Sequence, residues 1–292
     1  MMKGVGRFVA QMKYPMEAIR LQIYYRRFPS KENVGLITES LSNDSLDLVT
    51  IAFNNPEMIC YQYRLLKKFI TDSFVYTVAD NSTDAKSRSE IRAYCTKQGL
   101  PYIALPPSPY GSPYYSKSHG AALNYVYRNY IQPRSASFFG LLDHDIFPIC
   151  PISPRFYLKD QPYYGMLQVC ELPKIPGGRL LYLWPGLAFF DSVYTQGKLL
   201  NFLPDFGGDT GSGSFFSLYK PLLCDQQKEA VFQFADEERI PLWEGDDFQN
   251  DMYAYIGKDW LHFVNASDWR NAADYNKKSA RMKEMLEDLL QK

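Results

Sequence analysis

The clearest pattern in the chain is an apolar strand that leads into a capped helix. Residues 47–53 read DLVTIAF, a short run rich in branched side chains, as expected of a strand buried on both faces. Asn55 suits a helix N-cap, and Pro56 suits the first helical position. Apolar residues then recur at helical spacing, at Ile59, Leu66 and Ile70. The segment is therefore predicted to be a strand followed by a helix.

The same alternation repeats further along the chain. A second strand is predicted from Phe74 to Ala79, and a third, shorter strand from Pro101 to Leu105. Between them, Ser87 and Glu90 stand at capping-box spacing, and Gly99 is placed to end the helix. Strands that alternate with helices form right-handed β-α-β units and a largely parallel sheet. We predict an α/β fold: a single Rossmann-like domain whose central, mostly parallel sheet is flanked by helices.

A fourth unit ends at two acidic residues. Residues 106–118 are rich in Pro, Ser and Tyr and are predicted to form a surface loop. A helix is then predicted from about Gly120 to Tyr130, followed by a strand that ends at Asp143. Open α/β sheets bind their ligands at the carboxyl ends of the strands, so Asp143 is a candidate site residue.

The second half of the chain is less regular. Strands are predicted over 165–170 and 180–184, a further apolar patch closes at 189–191, and residues 207–213 are rich in glycine. Residues 276–292 predict an amphipathic helix, which would dock on its own domain or pair with a second copy in a homodimer. The predicted divisions are a helical, basic extension, a first half, a second half of the same domain and a C-terminal helix, over 1–45, 46–150, 151–272 and 273–292.

The acidic pair at the end of the fourth strand predicts a metal site. In an extended strand, Asp143 and Asp145 would face the same way, with His144 on the other side. Two carboxylates held that close repel each other unless a cation lies between them, and oxygen ligands suit Mg²⁺ or Mn²⁺. The alternative is an acidic turn in which both side chains act as caps.

Four segments in this order, LVTIAFNN, VADNSTD, SHGAALNYVYRNYI and FFGLLDHDIFP, resemble the nucleotide-sugar-binding half of GT-A glycosyltransferases, particularly those of family 2. The resemblance covers residues 48–148. It implies that Asp80 contacts the base or ribose, that Asp143 reaches the ribose and the metal shell, and that Asp145 binds the metal. The nucleotide-sugar-binding residues that it implies are Phe53, Asn54, Asp80, Ser82, Gly120, Asn124, Asp143, His144, Trp184 and Gly186.

The downstream half is similar to the same family more loosely. A late His-containing segment, HFVNAS, implies that His262 joins Asp143 and Asp145 as a metal ligand. The GDTG segment makes Asp209 the first candidate for the base that takes the acceptor's proton, with Asp246 and Asp247 in reserve. The family's E-D and Q-x-x-R-W acceptor signatures are missing. The implied reaction moves a sugar from a nucleotide-diphosphate donor to a glycan or a lipid-linked acceptor, with Mn²⁺ or Mg²⁺ as cofactor.

The composition of the chain bears on its expected partners and location. The 292 residues carry 32 basic and 32 acidic side chains, so nucleic acid is not an expected partner. Five scattered cysteines without a C-x-x-C pair are typical of a reducing compartment, and we expect a cytoplasmic protein. The first 27 residues are rich in Lys and Arg, which fits packing against the domain or peripheral contact with the inner face of a membrane.

One rival class shares the D-x-D pattern. Haloacid-dehalogenase-like phosphatases place such a pair after an apolar strand, and Asp246 with Asp251 would supply their later acidic motif. In that fold, however, the acidic strand opens the domain, whereas here alternating strands and helices precede it. Dinucleotide-binding oxidoreductases are disfavoured because no G-x-G-x-x-G follows a predicted strand.

Overall fold

The computed structural model describes residues 16–27, 29–36, 41, 45–111, 113–171, 178–223, 232–243, 252–264, 266 and 274–292. The strands are β1 (Leu46–Ala52), β2 (Phe74–Asp80), β3 (Tyr102–Ala104), β4 (Phe138–Asp143), β5 (Ile146–Pro148), β6 (Tyr163–Glu171), β7 (Arg179–Asp191), β8 (Glu237–Pro241), β9 (Met252–Ile256) and β10 (Trp260–Phe263). The helices are α1 (16–25), α2 (Pro56–Phe69), α3 (Ala85–Gln98), α4 (Tyr115–Val126), α5 (Gln132–Arg134), α6 (Pro154–Tyr157), α7 (Ser192–Thr195), α8 (Lys220–Leu223) and α9 (Tyr275–Gln291).

A six-stranded sheet forms the centre, in the order β3-β2-β1-β4-β7-β6. Strands β1 to β4 run parallel, β7 runs antiparallel to β4, and β6 runs antiparallel to β7. One face is covered by α1 and α4, whose buried side chains form one core cluster, and the other by α2 and α3. The predicted α/β fold, with a mostly parallel central sheet flanked by helices, is confirmed.

The order in which strands are added to the sheet reverses at β1. Strands β2 and β3 are added on one side of β1, whereas β4 lies on its other side. The connections that leave β1 and enter β4 therefore cover opposite faces of the sheet, and a crevice opens at the carboxyl ends between these two strands. Ligands bind at such switch points in open α/β sheets.

In the first half of the chain, the helices begin and end close to the residues that the local sequence signals predicted. Asn55 caps α2, with its side chain accepting a hydrogen bond from the backbone N of Met58 at 3.3 Å, and Pro56 is the first residue of that helix. Gly99 ends α3 in the left-handed conformation at φ 68°. The cap of α3, however, is Asp84, which accepts from the backbone N of Ser87 at 2.7 Å, rather than a box built on Ser87 and Glu90.

Two predicted boundaries are wrong. Helix α4 begins at Tyr115, so the predicted loop over 106–118 is shorter, and the helix continues through a π-helical turn at Tyr127–Ile131. The strand predicted over 180–184 and the apolar patch that closes at 189–191 belong to one strand, β7. The pairing of β6 with β7 shifts register between Gly165 and Leu167, where β7 contributes the extra residues between Leu183 and Ala188. Pro185 is tolerated in this stretch because it needs no partner there.

A second sheet packs beside the first. Strands β5, β10, β9 and β8 pair antiparallel in that order, so β5 takes the chain from β4 directly into the new sheet. Helix α9 lies against this sheet and α2, with Met282 and Leu286 buried beside Met58 and Leu65. Its apolar stripe therefore docks on its own chain, which was one of the two predicted alternatives.

A buried ion pair links the end of α5 to the central sheet. Arg134, at the end of α5, donates to Asp47 Oδ1 of β1 at 2.8 Å and to the Thr77 hydroxyl of β2 at 2.9 Å. Burial raises the pKa of Asp47 to about 6, against the opposing effect of the Arg134 charge. The pair lies at the start of the parallel strands, away from the crevice at their carboxyl ends.

Among the helices in the described part of the chain, none combines the length and the apolar character needed to span a membrane.

Candidate active site

The acidic pair lies in a tight turn between the two sheets. Asp143 is the last residue of β4, and His144 and Asp145 form the turn that leads into β5. The extended geometry predicted for the pair is therefore wrong, because the chain bends here to leave one sheet and join another. His144 is buried in this turn. The two carboxylates nevertheless remain near enough for the charge of Asp143 to raise the pKa of Asp145.

Gln62 of α2 holds the turn in place. Its amide nitrogen donates to the backbone carbonyls of Asp143 and Ile146, both at 2.7 Å. Its amide oxygen accepts from the Tyr76 hydroxyl at 2.6 Å, and the side chain is fully buried. Because these bonds close on both ends of the turn, Gln62 fixes the direction in which the carboxylates leave the backbone.

The second sheet brings a histidine to the turn. In the β5–β10 pairing His262 lies opposite Ile146, the residue that follows Asp145. Its Nε2 is 3.7 Å from Asp145 Oδ1, too long for a hydrogen bond, and its Nδ1 is buried without a hydrogen-bond partner among the described residues. The Trp184 ring packs on the imidazole at 4.8 Å between centroids, and Gly186 leaves room for that ring. Trp184 therefore lies in the cluster, and Gly186 supports it.

A second histidine, not predicted as a site residue, reaches the same cluster. His119 of α4 has its Nε2 3.3 Å from Asp143 Oδ1. Its signal in the sequence is its place in the SHGAALNYVYRNYI segment, as one of only three histidines in the chain. The predicted helix began at Gly120 and left His119 outside it, whereas α4 begins at Tyr115.

Asp209 lies at the exposed side of this cluster. Its backbone N donates to the Tyr182 hydroxyl at 2.9 Å, and its Oδ1 accepts from the backbone N of Thr210 at 2.7 Å. The Thr210 hydroxyl in turn donates to the Ser116 carbonyl at 3.2 Å, which ties this loop to the first turn of α4. The negative charge of Asp209 acts on both Asp143 and His119.

Burial dominates the electrostatics of the cluster. It raises the pKa of Asp143 to about 7, with a further rise from Asp209, and raises the pKa of Asp145 well above its usual range. Burial also lowers the pKa of His119 to about 4 and, together with the charge of Arg239, lowers the pKa of His262 to about 3. The protein thus holds carboxyls that resist ionisation beside neutral imidazoles, and a bound cation would favour the ionised carboxylates.

The donor chemistry of this cluster fits a hard divalent ion, with carboxylate oxygens from Asp143 and Asp145 and an imidazole nitrogen from His262. The Nε2 of His262 faces Asp145, whereas its Nδ1, unpartnered among the described residues, is on the other side of the ring. Within the described ranges, no group of three or more His, Cys, Asp or Glu side chains is arranged to hold a metal ion. Asp145 and His262 face each other and offer one oxygen and one nitrogen atom to a metal ion. Asp143 belongs to the same turn as Asp145.

The loops after β1 and β2 form the other wall of the crevice. Asn54 has φ 49°, a left-handed conformation that Asn tolerates, and its Oδ1 accepts from the backbone N of Thr83 and Asp84. The backbone N of Asn54 donates to the Ser82 hydroxyl at 2.7 Å. Phe53 and Asn54 are partly exposed, directly beside the β4 end that carries Asp143.

Asp80 is sealed from this crevice. Its two oxygens accept from the backbone N of Ser82 at 2.8 Å and from the Tyr102 hydroxyl at 2.9 Å, and the residue has no exposed surface. The predicted contact with a base or ribose is therefore not available to this side chain as it stands. It organises the turn that presents Asn54 and Ser82.

Gly120 and Asn124 support the loop that carries Asp209. A Cβ at Gly120 would lie 2.5 Å from the carbonyl oxygen of Phe202, so the helix and that segment touch through their backbones. The Asn124 side chain accepts from the backbone N of Phe202 at 2.9 Å and donates to Asn201 and the Tyr25 hydroxyl. Both are buried, and the structure gives them a packing role in place of the predicted nucleotide contact. Asp246 and Asp247 lie outside the described residues.

No protein-family model matches the chain, and no curated protein does so. Similar solved structures include the mannosyltransferase PcManGT from Pyrobaculum calidifontis in complex with GDP-Man and Mn²⁺, 13% identical, with 71% of this chain and 60% of that chain covered and a TM-score of 0.39. Others are the mannosyltransferase Ktr4p from S. cerevisiae (11% identical, 61% and 65% covered, TM-score 0.37) and S. aureus TarS 1-349 (13% identical, 59% and 53% covered, TM-score 0.37). This chain thus spans between about half and two thirds of each of those chains. The function is inferred from the residues of the crevice.

Proposed function

We propose that this protein is a metal-dependent GT-A-type glycosyltransferase that moves a sugar from a nucleotide-diphosphate donor to a glycan or lipid-linked acceptor. The observation that carries the proposal is the cluster of Asp143, Asp145, His119, His262 and Asp209 at the switch point between β1 and β4. Asp145 and His262 are buried and Asp143 and His119 partly so, which is costly for ionisable groups, and the cluster lies where an α/β sheet binds its ligand. Perturbed carboxyls in such a crevice are typical of a functional site.

The residues that would hold Mn²⁺ or Mg²⁺ are Asp143, Asp145 and His262. When bound, the ion supplies positive charge to the diphosphate as the bond to the sugar breaks. Gln62 keeps the turn in register and His119 orients Asp143. Each of these contacts exists before the substrate arrives, so little reorganisation is required at the site.

The donor would occupy the crevice between the ends of β1 and β4. Phe53 and Asn54 line its first wall, with Ser82 behind them, and the partly exposed Trp184 offers a flat surface near His262. On the acceptor side, Asp209 is exposed and adjacent to the cluster, so it can take the proton of an acceptor hydroxyl. A donor on one side and a base on the other give the two halves of a transfer reaction.

The phosphatase alternative is not favoured. Its acidic pair would have to follow the opening strand of the fold, whereas Asp143 ends the fourth strand along the chain and lies beside β1 in the sheet. The later acidic residues that it requires, Asp246 and Asp251, lie outside the described residues.

The proposed setting is the cytoplasm. The free cysteines among the described residues, Cys60, Cys95, Cys150 and Cys170, support a reducing compartment. In such a setting the donors would be cytoplasmic nucleotide sugars.

A thermal-shift panel tests the proposal. UDP, GDP, CMP and TDP compounds are added to the protein with and without Mn²⁺, and we expect one nucleotide to raise Tm only when Mn²⁺ is present. Turnover of the matching nucleotide sugar is then measured with the same protein. Absence of stabilisation by every compound, or phosphate release from a simple phosphomonoester, would contradict the proposal.

A further inference from the structure

Helix α1 presents a second apolar face away from the domain. Met16, Ile19 and Ile23 are 52%, 58% and 57% exposed, and their spacing places them on one stripe of the helix. Large apolar side chains exposed singly are common, but three in a row along one helix form a continuous strip.

The inward face of α1 is packed against the domain. Tyr24 and Tyr25 are buried in the core cluster that covers the sheet. The Tyr25 hydroxyl accepts from Asn124 at 3.1 Å, and the Tyr125 hydroxyl donates to the carbonyl of Arg27 at 3.1 Å. The exposed strip is therefore additional to the face that holds the helix on the domain.

Arginines flank the exposed strip. Arg20 is exposed, and at 100° per residue it lies about 70° from the centre of the strip. Arg26 and Arg27 are exposed directly after the last residue of α1, at the end of the strip that carries Ile23. Glu17, the acidic residue of this helix, is paired with Lys117 at 2.7 Å. The outward face is thus apolar along its middle, with one arginine beside it and two more at its end.

We propose that this face of α1 is a docking surface for an anionic phospholipid bilayer. Apolar side chains flanked by arginines match the acyl boundary and the phosphate layer of such a bilayer. A second copy of the chain fits less well, because a two-fold pairing of the strips would bring arginines of both copies together. The inference concerns binding and does not depend on transferase activity.

The position of α1 relates this surface to the crevice. Contacts run in step along α1 and α4, from Glu17–Lys117 at one end to Tyr25–Asn124 at the other, so the two helices lie side by side in the same direction. The end of α4 that carries His119 is therefore beside the first turns of α1. A docked α1 would hold the mouth of the crevice near the bilayer, which, given the proposed function, suits a lipid-linked acceptor.

A cavity lies at this junction. It has a volume of about 310 Å³, and its lining includes Met16, Glu17 and Arg20 of α1 together with Tyr110, Tyr114 and Lys117. Glu17 already accepts from Lys117 and from the Tyr110 hydroxyl, so Arg20 and Tyr114 are the side chains of this wall that suit the phosphate layer. The cavity thus continues the strip through Met16.

Vesicle flotation with the full chain tests the proposal. The vesicles contain phosphatidylcholine alone or phosphatidylcholine with phosphatidylglycerol. We expect binding only to the anionic vesicles and weaker binding at high salt. Changing Arg20, Arg26 and Arg27 together to Gln should weaken that binding by about 100-fold. Ile19→Ser with Ile23→Ser should weaken it by about tenfold.

The matched control is Val193→Ser, an apolar residue of α7 that is 74% exposed directly after β7. It should leave vesicle binding unchanged, and circular dichroism should show all variants folded. No binding to anionic vesicles, equal binding to neutral ones, or an equal loss in the control would overturn the proposal. So would sedimentation showing that the Ile variant only converts a dimer to a monomer. None of these readouts requires a nucleotide sugar, so a failed transferase assay leaves this test intact.

Discussion

Asp145 and His262 face each other where the two sheets meet, with Oδ1 3.7 Å from Nε2. The pairing of β5 with β10 places them there, since His262 lies opposite Ile146. The strands that build the second sheet therefore also assemble the candidate site. A change that loosens this pairing should affect both stability and activity.

Asp145→Asn should abolish metal binding while leaving the fold intact. Mn²⁺ affinity should fall by more than the roughly 10–100-fold seen when outer partners of metal ligands are changed. Burial raises the pKa of this carboxyl, so an amide in its place should not lower the free energy of unfolding. Calorimetric titration with Mn²⁺ and urea denaturation measure the two effects.

The control for this variant is Asp160→Asn, an exposed carboxylate in the segment leading into β6 at the opposite edge of the sheet. It should match the wild type in both measurements. If Asp145→Asn kept full Mn²⁺ affinity, the metal assignment to this residue would be wrong.

His119→Ala should lower turnover of the nucleotide sugar by roughly tenfold, because Asp143 loses the imidazole 3.3 Å away. His119→Gln should restore part of the loss through its amide. The pKa of His119 is lowered to about 4, so the residue acts as a neutral group, and the ratio of wild-type to variant rates should stay constant between about pH 6 and 8. A ratio that changed across this range would indicate that His119 acts as a charge or a proton carrier, or that it controls the titration of Asp143, whose pKa burial raises to about 7.

The elements predicted correctly are those whose signals are local. The apolar run before Asn55, the Pro56 start of α2 and the Gly99 stop of α3 each depend on a few adjacent residues. Parallel pairing follows from their alternation, so the crevice and the position of Asp143 could be predicted as well.

What the sequence did not predict depends on distant partners. The turn at Asp143–Asp145 is bent because β5 pairs with β10, and β7 is continuous because β6 pairs with it on both sides of an unpaired stretch. The side chains of Asp80 and Asn124 likewise accept hydrogen bonds from Tyr102 and Phe202, which are distant in the sequence. Motif resemblance locates such residues near a site but does not say which way their side chains turn.

Gly120→Ala should destabilise the protein by about 1–3 kcal/mol through overpacking. Alanine is favoured over glycine in a helix by about 1 kcal/mol, but its Cβ would lie 2.5 Å from the Phe202 oxygen and 2.9 Å from the Leu203 Cα. Backbone atoms cannot rotate away, so the loop that carries Asp209 must shift. Urea denaturation measures the loss, and the control is Gly111→Ala, whose Cβ meets no atom of the described residues within 4 Å apart from its own residue and chain neighbours. Equal stability of the two variants would contradict this account.

Gln62→Leu should lower the free energy of unfolding by roughly 3 kcal/mol, because the buried Ile146 carbonyl, the partly buried Asp143 carbonyl and the buried Tyr76 hydroxyl all lose their bonds to the Gln62 amide. Tyr76→Phe removes only one of these bonds and should cost about 1 kcal/mol. In the double variant the two losses should be less than additive, since they share a bond. Additive losses would show that Gln62 and Tyr76 act independently.

Asp47→Asn should change how stability depends on pH. In the folded wild type the pKa of Asp47 is raised from 3.8 to about 6, chiefly by burial, so the folded state binds the proton more tightly than the unfolded state does. Its contribution to stability is therefore fully present below about pH 4 and is lost as pH rises through 6.

Asparagine does not titrate, so the free energy of unfolding of the wild type relative to Asp47→Asn should fall between about pH 4 and 6 and then level off. Urea denaturation of both proteins across that range measures the difference, and the other titrating groups cancel in it. Arg134→Met should steepen the fall and move its end to higher pH, because the charge 2.8 Å from Asp47 that opposes the rise in pKa is gone. A difference that rose with pH would show that Arg134, rather than burial, controls the titration of Asp47.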